Sequence, residues 1–378
     1  MKVGILTLPL HTNYGGVLQA YALWYSLHNM GHEPYLIDCR VDPRYANLIK
    51  RPAASILRFL SVCLPPLAPR LKPLETQMRA DKVLIRSNIE PFIRRNIPLR
   101  HYLNYRSISK SDFDAIVVGS DQVWRPEYFR PISSAYLDFA KGWSIKRIAY
   151  AASFGVDIWE YSESQTRKCS DLLSRFDAVS LRESSGVEMC AKHLKHSAVE
   201  VLDPTLILSK DIYLKLIAGS SDEMPKQGGL MVSFLDSTPD KQAAVDAIST
   251  RYGVETFSVN SRVEDRNAPI KERIQPPVEQ WLSGFASADY VITDSYHACI
   301  FAIIFNKPFV AYANPQRGYT RFLSLLSRLG LAGQLFESSS ELNIDRCFEI
   351  DWGQVNEKLN DLKSESLNFL QLSIGGKL

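Results

Sequence analysis

Short apolar runs alternate with amphipathic stretches along the chain, and nearly every apolar run stops at a glycine or a polar cluster. Residues 2–9, 34–39, 113–118, 148–152, 178–181 and 199–202 read as strands, since bounded apolar runs of this length fit parallel strands covered on both faces. Val17, Ala20, Leu23, Trp24 and Leu27 recur at helical spacing, and further helices are predicted at 80–97 and 169–176. The second half repeats the alternation, with strands at 230–235, 255–259, 290–293 and 309–312 and helices at 240–251, 278–287, 298–305 and 321–329. Strands alternating with helices predict parallel α/β sheets.

The breaker-rich stretch 220–229 divides the pattern. Residues 1–220 form a predicted N-terminal α/β domain and 228–350 a C-terminal one. The stretch 351–378 predicts a helix whose apolar positions Val355, Leu359, Leu362, Leu367 and Leu370 pack back on the first domain. At 378 residues the chain exceeds one ordinary core, so two Rossmann-like domains facing a cleft, the GT-B glycosyltransferase architecture, is the expected fold.

Charge changes this picture in one place. The whole chain carries +3, but residues 44–110 hold 14 Lys/Arg against 3 Asp/Glu, a net of 14 − 3 = +11, which leaves −8 elsewhere. Pro65, Pro66, Pro69 and Pro73 break this excursion, and a helix is predicted only over 55–64. It reads as an excursion packed on its own domain, as a lid over the cleft, or as a patch carrying Arg58, Arg70 and Lys72 to anionic lipid. A nucleic-acid partner is not expected. The six cysteines show no CxxC and read as reduced core thiols. The N-terminus reads as a strand and not a signal peptide, and no apolar run is long enough to span a membrane, so a cytoplasmic protein, peripheral at the inner membrane face if the basic patch binds lipid, is expected.

Chemistry gathers where strands end. Asn13-Tyr14-Gly15-Gly16, Gly119-Ser120-Asp121-Gln122-Val123-Trp124, Arg182-Glu183, Asp203-Pro204 and Asp294-Ser295-Tyr296-His297 each follow an apolar run. In an open α/β sheet such corners line the ligand crevice, and a helix N-terminus there favours an anion. Thr12 or Asn13 reads as a helix cap, Asp121 equally as a turn residue, Arg182 equally as the partner of Glu183 or Asp203 in a structural ion pair, and Trp124 as core or as a sugar-stacking ring. Asp203-Pro204 reads as a rigid turn. His193 and His196 sit on a solvated face with no third ligand in reach, and no metal site is expected.

Together the blocks resemble the polysaccharide pyruvyl transferase family of bacterial surface-glycan synthesis, with GSDQVW (119–124) and TDSYH (293–297) the most specific. The resemblance implies transfer of pyruvate from phosphoenolpyruvate to a sugar diol, closing a cyclic ketal, with no cofactor beyond that donor. It implies His297 as proton donor, with Asp121 first and Asp294 second as the carboxylate that handles the hydroxyl. Asn13, Tyr14, Gly15, Gly16, Ser120, Gln122, Trp124, Arg182 and Ser295 become candidate substrate contacts. One branch of the family carries Arg two positions before the histidine, where this chain has Ser295, so that anion contact passes to Arg182, Arg317, Arg321 or the basic segment. After His297, Ala298-Cys299 replace the usual Gly and small hydroxyl residue. Two other readings keep the fold: a glycosyltransferase using a nucleotide sugar, with Glu279 as a clamp, and a non-catalytic glycan-assembly protein. The acceptor is expected to be a galactose-type saccharide, either lipid-linked or a nucleotide-free glycan.

Overall fold

A computed structural model describes residues 1–39, 81–220, 228–313 and 318–375. Seven strands form the first sheet: β1 (Lys2–Leu6), β2 (Glu33–Cys39), β3 (Leu99–Tyr102), β4 (Ala115–Val118), β5 (Lys146–Ala152), β6 (Ala178–Leu181) and β7 (Val199–Glu200). They lie in the order β3-β2-β1-β4-β5-β6-β7 with every neighbouring pair parallel. The second sheet is built from β8 (Leu230–Ser233), β9 (Thr256–Phe257), β10 (Tyr290–Thr293), β11 (Phe309–Tyr312) and β12 (Leu335–Phe336), in the order β12-β11-β10-β8-β9 and again parallel. All four residues of β4 and of β11 are buried, the condition for apolar runs without alternation. β3 falls inside the basic segment, where no strand was expected; its half-buried edge position needs no continuous apolar run. The rest of the segment before residue 81 lies outside the described residues, and so do its predicted helix at 55–64 and Arg58, Arg70 and Lys72.

Sheet order reverses beside β1 and β8, so the first sheet switches between β1 and β4 and the second between β8 and β10. Helix α1 (Tyr14–Asn29) leaves the first switch point, capped by Asn13, whose side chain accepts from the Gly16 N–H. The helix over Tyr296–Ile304 leaves the second, capped by Ser295 and buried at every one of its residues. A helix apolar all round belongs inside, and here it packs into one cluster with α1. The last helix, Trp352–Ile374, crosses back: Ser366 Oγ accepts from the Leu202 N–H at 2.9 Å and Phe369 lies beside Tyr150 of β5. Cys169, Cys190, Cys299 and Cys347 are buried free thiols. Among the described residues no helix is long and apolar enough to cross a membrane.

Candidate active site

The two switch points meet at Gly15 and His297. A Cβ added to Gly15 would fall inside the His297 side chain, 2.7 Å from its Cβ, so glycine is what lets the start of α1 rest against the imidazole. Below the ring sits Arg182, at the end of β6 and only 2% exposed. Its Nη1 donates to Asp203 Oδ2 at 2.7 Å and its Nη2 to Asp121 Oδ1 at 2.9 Å, while its Nε lies 3.9 Å from Glu183. Asp203 also accepts from Ser120 Oγ at 3.3 Å and from the N–H and hydroxyl of Thr205 at 3.0 and 2.7 Å. His297 Nε2 is 3.7 Å from Asp203 Oδ2, an ion-pair distance too long for a hydrogen bond, and this buried nitrogen has no hydrogen-bond partner. Tyr296 lies between two guanidiniums: Arg182 is 5.0 Å and Arg321 5.3 Å from its ring centroid.

Burial and charge compete at each group. Burial pushes the Asp203 carboxyl up, but the facing His297, Arg182 and the Thr205 hydroxyl outweigh it and hold Asp203 far below the ordinary carboxylate range. Asp121 is likewise buried, and Arg182, His297 and Arg321 hold it low. At Glu183 burial wins and its carboxyl is raised, the pull of Arg182 and Arg321 notwithstanding. Burial and the like charge of Arg182 lower Arg321, with Glu183 and Asp121 offsetting part of the cost. Two guanidiniums and an imidazole thus stand among three buried carboxylates, Glu183 held above its ordinary range and Asp121 and Asp203 below theirs.

A family model described as polysaccharide pyruvyl transferase matches residues 13–316. The chain belongs to the polysaccharide pyruvyl transferase family. Comparison of the sequence with curated proteins gives no match. Among solved structures, a glycosyltransferase from Rickettsia africae is similar at 13% identity, covering 99% of this chain and 96% of that one with a TM-score of 0.52. The UDP-GlcNAc 2-epimerase from Neisseria meningitidis, bound to UDP-GlcNAc, is similar at 9% identity, covering 98% and 100% with a TM-score of 0.51. These likenesses are of fold, and the fold is the GT-B type of paired parallel α/β sheets.

Placed on this pyruvyl transferase fold, Gly15, Asp121, Arg182, Arg321 and His297 converge. Ser120 lies beneath them, its Oγ bonded to Ala151 O and Asp203. A Cβ on Gly16 would lie 3.8 Å from Asp121 Oδ2, and one on Gly155 would meet the Gln122 side chain. Asn13 and Ser295 are helix caps. Four residues are engaged elsewhere. Asp294 is no free carboxylate: it accepts from Lys241 Nζ at 2.6 Å and from the N–H groups of Leu235 and Asp236, tying β10 to the loop after β8. Trp124 is fully buried and stacked on Tyr136, leaving no face for a sugar. Tyr14 stacks on Trp281 at 4.9 Å and donates to Pro276 O at 2.8 Å, so it joins the domains. Glu279, the residue read as a nucleotide clamp, is paired with Arg95 of the first domain. Arg317 lies outside the described residues. Asp203 caps the short helix Pro204–Ile207, as a rigid turn after its strand requires, and it also faces Ser120, Arg182 and His297. Among the described residues no three His, Cys, Asp or Glu side chains gather as a metal site.

Proposed function

We propose that the protein moves the pyruvyl group of phosphoenolpyruvate onto two hydroxyls of a sugar, closing a cyclic ketal in surface-polysaccharide assembly. The observation that carries this reading is the pair of guanidiniums, Arg182 and Arg321, on one Tyr296 ring beside the imidazole of His297. Phosphoenolpyruvate holds a phosphate and a carboxylate close together, and guanidinium is the side chain suited to both. His297 gives a proton to the methylene carbon, which leaves C2 oxocarbenium-like. One sugar hydroxyl adds to C2 and loses its proton, phosphate departs, and the second hydroxyl closes the ring. Of the two hydroxyl protons, one restores His297 and the other leaves on phosphate. Asp121, held low by its cations, suits a hydrogen-bond acceptor that orients the diol better than a strong base. Asp203 faces His297 and fixes its ring. The acceptor is a galactose-type saccharide, lipid-linked at the inner membrane face, and the chemistry calls for no metal or redox cofactor.

The test incubates the protein with phosphoenolpyruvate and galactose-containing acceptors and follows released phosphate together with the mass gain of a ketal. His297→Ala is expected to lose turnover by about 100-fold or more while staying folded; an unchanged rate removes His297 from the mechanism. The shared GT-B fold makes a nucleotide-sugar glycosyltransferase the second reading, since a fold neighbour is bound to UDP-GlcNAc. Thermal stabilisation by a nucleotide sugar, with no phosphate release from phosphoenolpyruvate, would favour it.

A further inference from the structure

A depression of about 790 Å³ opens on the first domain. Its walls come from the loop after β4 and from the start of the helix Glu163–Leu173, which follows β5. Both segments leave the carboxyl ends of their strands, so the depression shares a sheet edge with Asp121. A relay of side chains connects the two places. Gln122, next to Asp121, accepts from Arg125 Nη1 at 3.4 Å. Arg125 in turn lies 3.0 Å from Glu127 and 3.2 Å from Glu160, and both glutamates line the depression.

Its chemistry differs from that of the donor site. Glu127 and Glu160 share Arg125, Lys168 is matched by Asp138 at 2.9 Å, and Arg130 adds a further cation, so both signs of charge line the wall. A phosphate or nucleotide gains little there. A neutral polyhydroxyl ligand gains more, because carboxylate oxygens accept from hydroxyls while Arg130 and Lys168 donate. Buried Ile132 and Cys169 give the wall an apolar portion for sugar C–H faces. The volume falls within the range of about 300–1,000 Å³ usual for ligand sites. We infer that this depression is an acceptor subsite, holding the neutral sugar residues next to the one that receives pyruvate. The inference rests on the pyruvyl transferase reading for the role of its ligand, but not for binding itself.

The experiment titrates a panel of neutral galactose-containing trisaccharides, and the matching galactose monoglycoside, into the full chain without phosphoenolpyruvate. Calorimetry or protein NMR gives the affinities. Ser164→Trp, at an exposed position on the wall, fills the depression from outside the core. The trisaccharides are expected to bind about tenfold more tightly than the monoglycoside, and Ser164→Trp to remove that gain, the equivalent of one or two charge-assisted hydrogen bonds. In turnover, the variant raises acceptor KM for trisaccharides and leaves phosphoenolpyruvate KM at the wild-type value. If Ser164→Trp fails to fold, the double variant Glu127→Ala/Arg130→Ala reports in its place. Equal affinity for long and short glycans, no trisaccharide binding at all, or a gain that survives both variants overturns the subsite. Trisaccharide binding that the variants abolish, with no phosphate released from phosphoenolpyruvate, leaves the subsite standing and removes the pyruvyl transfer instead.

Discussion

Gly15 makes the sharpest single-residue case. Any side chain there occupies the space of the His297 ring and displaces a residue from the other domain. Gly15→Ala is therefore expected to cut kcat by about 100-fold, the penalty for misplacing a reacting group by roughly 1 Å. Circular dichroism will find the fold intact, and a kcat near wild type would show that the imbalance is absorbed elsewhere. Asp203 governs acid stability. Its folded pKa lies far below the value of about 3.9 in an unfolded chain, so its stabilising contribution is fully present above that value and drains away as pH falls below it. Asp203→Asn should cost about 3–5 kcal/mol at pH 7, because it strips Arg182 of a buried partner. In urea titrations the deficit should narrow as pH drops below about 4; a deficit constant with pH contradicts the assignment. The sequence placed Asp121, Arg182 and His297 at strand ends because their types and corners are local features. The Arg182–Asp203 pair was legible as well, but the facing of Asp203 to Ser120 and His297 was not, because those residues lie 203 − 120 = 83 and 297 − 203 = 94 positions away.

Elements were easier to read than sites. β10, expected at 290–293, is Tyr290–Thr293, and the helix expected at 278–287 is Val278–Ser287, since apolar runs and their breakers are written locally. β12 and the short helix Pro204–Ile207 were invisible: elements of two and four residues carry no period to detect. Asp294 exposes the limit of reading a corner by composition, for its carboxylate is spent on holding an element in place. The helix Pro239–Tyr252 sends Lys241 Nζ to Asp294 at 2.6 Å and to Asp236 O at 2.8 Å, locking its first turn to β10. Lys241→Met should destabilise the chain by about 3–5 kcal/mol, as breaking a buried pair does. At a temperature where the variant is folded, its donor KM should match wild type. A donor KM that rises in step with lost stability would return Asp294 to the chemistry.

At the scale of the whole molecule, the candidate site lies where the domains meet, and Arg182, Asp203 and His297 are 2%, 1% and 7% exposed. On the proposed function, substrate is expected to reach them when the halves part. Tyr14 on Trp281, Gln275 Nε2 on Thr12 O at 2.9 Å and Arg95 on Glu279 hold the closed form. Tyr14→Ala removes a stack worth about 0.5–1.5 kcal/mol beyond its buried area and should shift the equilibrium toward the open form by about 2- to 12-fold. Small-angle scattering should then give a larger radius of gyration than wild type, and an unchanged value would place the latch elsewhere. The two-domain plan follows from the repeated strand–helix pattern, whereas the way the domains meet depends on contacts between residues more than 250 positions apart, such as Tyr14 with Pro276. The returning helix Trp352–Ile374 has a further consequence, for synthesis. It covers β5 and the turn at Leu202, yet the ribosome finishes it 374 − 200 = 174 residues after β7. At about 5–20 residues per second, the first sheet waits roughly 9–35 s for its cover. During that interval a nascent chain displays an apolar face that the finished molecule conceals.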